Sequence, residues 1–139
     1  MGVMTYMIRA SFFTAFALAA LPLTGCAVVP DAPIVQGTPK PEGYAVPIDQ
    51  PVRVGELVLT PKSVVEDSRC PENARCVWAG RLIVRTRIDG AGWRDTADLT
   101  LGESYGTHDR VVALVSGIPE RQTDSEIAPR EYRFVYETR

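Results

Sequence analysis

The sequence predicts an all-β domain, a small antiparallel β-sandwich or barrel with one disulfide-closed loop, and three observations predict it. From Val52 onward, apolar residues recur at every second position in short runs, the period of a strand with one face buried. Glycine, proline and aspartate cluster between those runs, where turn geometry calls for them. Cys70 and Cys76 stand in the middle of the chain, inside the dense block Asp67-Ser68-Arg69-Cys70-Pro71-Glu72-Asn73-Ala74-Arg75-Cys76-Val77-Trp78-Ala79-Gly80.

Two segments precede the domain. Met1 to Leu23 carry one cation, Arg9, and an apolar run from Ala10 to Leu21 softened by Ser11 and Thr14. That run is about twelve residues, whereas a bilayer-spanning helix takes about twenty, so it fits a secretory signal peptide. It ends Leu23-Thr24-Gly25-Cys26, which resembles a bacterial lipobox, where a peptidase cuts before the cysteine and the thiol takes up diacylglycerol. The resemblance implies a signal peptide over 1–25, lipidation at Cys26, and membrane lipid as a partner through that residue. Ordinary secretion with an incidental cysteine is the alternative. Ala27 follows, and resemblance to Gram-negative sorting implies the periplasmic side of the outer membrane. Residues 26–44 then form a flexible tether. Pro30, Pro33, Pro39 and Pro41 punctuate it, with Gly37 and Gly43. Such composition makes a semi-rigid spacer, with a reach of roughly 50 Å at about 3.1 Å per residue. A proline-rich recognition motif is the sharper alternative.

The β domain itself is assigned to 45–139. Val52–Thr60 alternates around Gly55, a bulge or turn, and Pro61 ends it. Residues 62–67 carry Val64 and Val65 into the cysteine block. Over 81–89, Leu82, Val84, Thr86 and Ile88 share one face, and Arg81, Arg85 and Arg87 the other, the mark of a half-buried strand. Asp89-Gly90-Ala91-Gly92 is hairpin chemistry. Residues 93–101 return with Ala97, Leu99 and Leu101 on one face. Residues 102–109 read as a loop, 110–116 as a strand stopped by Pro119, and 120–129 as irregular. The last strand, 131–138, sets Tyr132, Phe134 and Tyr136 against Arg133, Val135 and Glu137.

A Cys70–Cys76 disulfide needs Cα atoms about 4.4–6.8 Å apart. An extended segment would separate them by about 20 Å and a helix by about 9 Å of rise. The chain must therefore fold back, and Pro71 and Asn73 suit that turn. So small a ring stabilises by roughly 2–2.5 kcal/mol in the chain-entropy account. A zinc or copper site and a redox-active pair are the alternatives. Structural zinc wants four ligands, whereas the chain adds only His108 and Cys26, and Cys26 is assigned to lipid. A catalytic dithiol usually reads Cys-x-x-Cys. Trp78 is read first as core packed over the disulfide, as in many β-sandwiches, and second as a surface aromatic that stacks on a ligand. Asp67, Arg69, Glu72 and Arg75 shape the loop through exposed pairs, about 0–1 kcal/mol each.

Asp-Ser-Arg-Cys-Pro followed by Cys-Val-Trp-Ala-Gly resembles a motif of uncharacterised small bacterial secreted proteins and lipoproteins. The likeness covers about 50–139, and only the fourteen-residue block is specific. It implies an extracytoplasmic β domain and brings no catalytic residues.

Little in the chain asks for chemistry. His108 is the only histidine and reads as a solvated loop residue; a nearby Ser104 and Asp109 do not make triad geometry. Nucleophile-elbow, zinc-protease, Walker and dinucleotide motifs are missing. Arg9 apart, fourteen basic residues face seventeen acidic ones, and that balance argues against nucleic acid. Arg81, Arg85, Arg87 and Arg94 read as a solvated face with Asp95 and Asp98 as partners, or as a patch for an anionic lipid headgroup or glycan. The sequence thus predicts a lipid-anchored, non-enzymatic envelope binding or assembly domain without a cofactor. Its candidate surface is Trp78, Arg81, Arg85 and Arg87, with an envelope protein or anionic glycan as partner. A small-ligand or metal-binding module and a periplasmic enzyme inhibitor are the alternatives.

Overall fold

The computed structural model describes residues 35–139, together with Gly25 and Pro33. The expected signal peptide, Cys26 and the first part of the tether lie outside the described residues.

Two antiparallel sheets make the body. The first is a meander of β1 (Val52–Val54), β2 (Leu57–Asp67), β3 (Leu82–Gly90) and β4 (Trp93–Thr100), and the second of β5 (Ser104–Thr107), β6 (Arg110–Ile118) and β7 (Arg133–Thr138). The sheets do not close into a barrel, so the sandwich is the form adopted. The period-two reading of β3 is correct: Leu82, Val84, Thr86 and Ile88 are all fully buried. They meet Leu99 of β4, Val112 and Leu114 of β6, and Phe134 and Tyr136 of β7 in one core. Within it the Thr86 hydroxyl and the Tyr136 phenol lie 2.9 Å apart, which satisfies two polar groups that burial would otherwise penalise. Gly117 is tight for a different reason. A Cβ there would lie 2.3 Å from Leu82 Cδ2, so β6 approaches β3 closely only because that side chain is missing.

Four expectations need correction. β2 does not stop at Pro61 but runs on to Asp67, with register shifts between Pro61 and Ser63 and between Val64 and Glu66. A bulge re-aims a strand past a residue that has no N–H to give. β5 occupies part of the expected loop. It pairs with β6 through Thr107↔Arg110, and the two residues between them, His108 and Asp109, have φ of 44° and 60°. Histidine and aspartate are among the residues that tolerate this region, and a two-residue turn with both φ positive suits a hairpin. β6 continues to Ile118, beyond the predicted stop at Ser116. The stretch expected to be free tether is already docked from Thr38: Lys40 bridges Val52, and the Glu42 carboxylate accepts from Gly55 N–H and Thr138 N–H at 2.9 and 2.8 Å. Val46 then exchanges two 2.9 Å backbone bonds with Phe134. This segment covers edges of both sheets, which would otherwise present unpaired N–H and C=O groups.

At the turn between β3 and β4, Trp93 lies across Gly90, where an added Cβ would meet the indole at 2.2 Å. The Trp93 ring also stacks on His108 at a 3.8 Å centroid separation. The lone histidine is exposed in the turn between β5 and β6, as the loop reading expects, and there it is also the aromatic partner of Trp93.

The core predicts its own weak point. Phe134→Ala, at the second position of β7 and fully buried, lowers unfolding free energy by about 3–5 kcal/mol in chemical denaturation, with the alternating Arg133→Ala costing far less.

Candidate functional site

The site that stands out is the connection from β2 to β3. The ladder between those strands continues past their ends: Ser68 N–H donates to Arg81 O at 2.8 Å and Cys70 N–H to Ala79 O at 2.9 Å. Gly80 makes this possible. Its φ is 65°, and a Cβ would lie 1.7 Å from Ser68 O, a position only glycine fills without moving the backbone. The cysteine block is thus the tip of a long β2–β3 hairpin. Cys70 and Cys76 are bonded, with Cα atoms 5.9 Å apart.

The disulfide closes the tip, but other groups fix it to the body. Arg69 is only 7% exposed. Its guanidinium donates to Asp67 Oδ1 and Oδ2, both at 2.8 Å, to Gly117 O at 2.6 Å and to Pro119 O at 3.0 Å. Asp67 Oδ2 also accepts from the Tyr132 hydroxyl at 2.8 Å. One buried pair therefore ties the end of β2 to the end of β6 and the start of β7. The expectation that these charges form exposed pairs is overturned: Asp67 and Arg69 are buried and bidentate, the geometry that makes such pairs strong. Burial pushes the Asp67 carboxyl up, but the hydrogen bonds from Arg69 and Tyr132 and the Arg69 charge outweigh it, and its pKa is lowered. Tyr132 moves the other way, to about 12, through burial and then its bond to the Asp67 carboxylate.

A second set of bonds clamps the loop to the 120–123 segment. Glu72 N–H donates to Arg121 O at 2.9 Å, and Arg121 donates to Arg69 O at 3.0 Å. Asn73 exchanges side-chain bonds with Thr123, Nδ2 to Oγ1 at 2.6 Å and Oδ1 from N–H at 2.8 Å. Gln122 Nε2 donates to the Glu72 carboxylate at 2.6 Å. Two hollows flank this clamp. A groove of about 750 Å³ runs between the loop and residues 121–127, with Asp67, Arg121 and Tyr132 in its lining. A hollow of about 460 Å³ opens on the other side, between Arg121 and Trp78.

Trp78 is not core. It is 83% exposed, and Val77 beside it is fully exposed. The reading of Trp78 as packing over the disulfide fails because the loop lies beyond the end of the sandwich, where no second sheet covers it. The surface-aromatic reading matches the geometry. Arg75 is exposed beside this tip and has no carboxylate partner among the described residues.

The predicted arginine face lies elsewhere and is answered within its own sheet. Arg85 makes a two-point contact with Asp98 at 2.9 and 3.0 Å, and Arg81 reaches Glu66 at 3.0 Å. Arg87 donates to Asp89 at 2.9 Å, and Arg94 pairs with the same carboxylate. Asp98 is a partner as expected; Glu66 and Asp89, and not Asp95, are the others. Trp78 is thus separated from Arg85 and Arg87 by the length of the hairpin arm. Among the described residues, no group of three or more His, Cys, Asp and Glu side chains gathers as a metal site, and no helix is long and apolar enough to cross a membrane.

The two fasteners of the loop differ in weight. Arg69→Met leaves Asp67 buried without its cation and costs about 3–5 kcal/mol. The double change Cys70→Ser with Cys76→Ser costs about 2 kcal/mol and leaves the sheets folded. Urea titrations of both variants should preserve that order. The ionisations give a pH window as well. Asp67 is lowered in the fold, so its contribution is present above the unfolded value of about 3.9 and is lost as pH falls through the folded value. Tyr132 is raised, so its contribution is present below about 10 and is lost as pH rises towards about 12. Stability measured against pH should fall on both flanks, and Tyr132→Phe should lessen the alkaline loss, the rest of which belongs to the buried Tyr136, also raised by burial.

The chain matches no protein-family model, no curated protein and no solved structure.

Proposed function

We propose that the protein is a lipid-anchored, extracytoplasmic binding domain of the bacterial envelope, without enzymatic activity, whose working surface is the disulfide-closed tip. One observation carries the reading. Val77 and Trp78 are exposed on a loop held by a disulfide, a buried ion pair and a clamp of side-chain bonds. Tryptophan on a rigid support is a frequent anchor in interfaces, and a loop fixed beforehand loses little entropy on binding. The polar groups near the tip support a structural role more than a catalytic one: Asp67 is spent on Arg69 and Tyr132. The Leu23-Thr24-Gly25-Cys26 stretch supports the anchor, and a compartment that permits disulfides supports export.

The groove beside the loop supports a second reading, a small-ligand module. Its lining mixes Arg121, Asp67 and Tyr132 with the apolar Val64 and Ile127, the composition of a site with a few orienting polar groups.

Two measurements decide between these. Mass spectrometry of native material should show cleavage before Cys26 and an acylated cysteine; an unprocessed chain in the cytosol would end the anchored reading. A photo-crosslinking residue at position 78 should form adducts in living cells, and one at position 94 should not. Equal labelling at both positions, with ligand-dependent thermal shifts abolished by Arg121→Ala, would favour the groove.

A further inference from the structure

The geometry points to a specific occupant for the tip: we infer that Val77 and Trp78 insert at the headgroup level of an anionic phospholipid bilayer, with Arg75 and Arg121 on the phosphates. This rests on the anchored reading and adds the partner surface and the orientation of the domain upon it.

Three features on this end of the molecule support it. The first is the pairing of an exposed aliphatic and an exposed indole at the far end of a hairpin. Tryptophan favours the membrane–water interface because its ring is apolar and its N–H is polar. The second is charge. Arg75 is exposed on the tip, and Arg121 lines the hollow next to Trp78. Neither meets a carboxylate among the described residues, unlike Arg81, Arg85 and Arg87 on the sheet. Glu72, the acid nearest Arg75 in sequence, is turned to Gln122, and Glu120, next to Arg121, lies 3.6 Å from the Arg69 guanidinium. Unneutralised arginines beside an apolar tip suit an anionic surface.

The third is the direction of the chain. Lys40 N–H donates to Pro51 O at 2.9 Å, Arg53 N–H donates to Lys40 O at 2.7 Å, and the bridge between Lys40 and Val52 is parallel. β1 is antiparallel to β2, and β2 runs towards the cysteine loop. Followed back towards Cys26, the docked segment therefore heads for the end that carries Trp78. Thr38, whose carbonyl accepts from Gln50 Nε2 at 3.2 Å, is the next step along that path. A lipid at Cys26 and the tip would then face the same bilayer. Two apolar side chains hold a free domain weakly, but a tether raises the local concentration of membrane and makes a weak contact persistent.

The two tryptophans make the test clean, because Trp93 lies at the opposite end, against His108 and Leu57. Full mature protein is reconstituted in phosphatidylglycerol–phosphatidylcholine vesicles whose acyl chains are brominated near the headgroup. Quenching should remove about half of the tryptophan emission, and Trp78→Phe should leave the remainder insensitive to bromine. High salt and Arg75→Glu should each restore most of the lost emission. Emission that ignores brominated lipid overturns the proposal. So does equal quenching of wild type and Trp78→Phe, or quenching indifferent to both salt and Arg75→Glu, since anionic headgroups would not then be the occupant. The mass of the N-terminal peptide reports the anchor separately. An acylated Cys26 with unquenched Trp78 removes the tip and keeps the tether. An unacylated chain, added to excess vesicles and quenched at Trp78, removes the tether and keeps the tip.

Discussion

The buried pair of Asp67 and Arg69 is the constraint on which the upper half of the molecule depends. It is only two residues apart in sequence, yet its guanidinium reaches carbonyls of Gly117 and Pro119 nearly fifty residues on. Through Tyr132 the same carboxylate reaches β7. The three strand ends meeting here belong to both sheets. A sandwich of this size has a modest core, and its open end would otherwise be held by loops alone. Removing two charges from water is costly, and the pair is tolerable because nearly every oxygen and N–H has a named partner. Arginine serves where lysine would not, since five donors in a fixed fork can serve two carboxylate oxygens and two carbonyls at once.

The disulfide complements this pair and does not replace it. A ring closed by Cys70 and Cys76 limits the shapes the tip can take, but it says nothing of where the tip lies relative to the sandwich. The clamp between Asn73 and Thr123 and the bond from Arg121 to Arg69 O supply that information. The order of causes runs from Gly80, which lets the hairpin arm cross Ser68, to the ring, and then to the clamp. Each step narrows the position of Trp78.

Much of this was legible in the sequence, and the reasons for the rest are physical. β3 and β7 were readable because each has one buried face, so the pattern of Leu82, Val84, Thr86 and Ile88, or of Tyr132, Phe134 and Tyr136, is imposed residue by residue. The disulfide was readable because the fold-back needed by Cys70 and Cys76 had the turn residues to make it. β5 was hidden, since Ser-Tyr-Gly-Thr at a short edge carries almost no alternation. The continuation of β2 through Pro61 was hidden behind a bulge. Arg69 looked like a surface cation because the carbonyls that bury it come from Gly117 and Pro119, a long-range fact no local window contains. Trp78 misled for the converse reason: its residue type favours burial, and only the position of the loop beyond the second sheet leaves it bare.

An exposed Trp-Val pair on a loose loop would be a liability, because an apolar patch free to reshape finds many partners, including its own unfolded copies. On this tip the backbone that carries the pair is fixed by the disulfide and by the bonds from Asn73 to Thr123, and Gly80 holds the arm in one path. Exposure and rigidity therefore arise from the same residues. A tryptophan that is held out by its own scaffold keeps its apolar ring available without the rearrangement that a buried one would need, so whatever free energy it gains on contact goes into association and not into remodelling the domain.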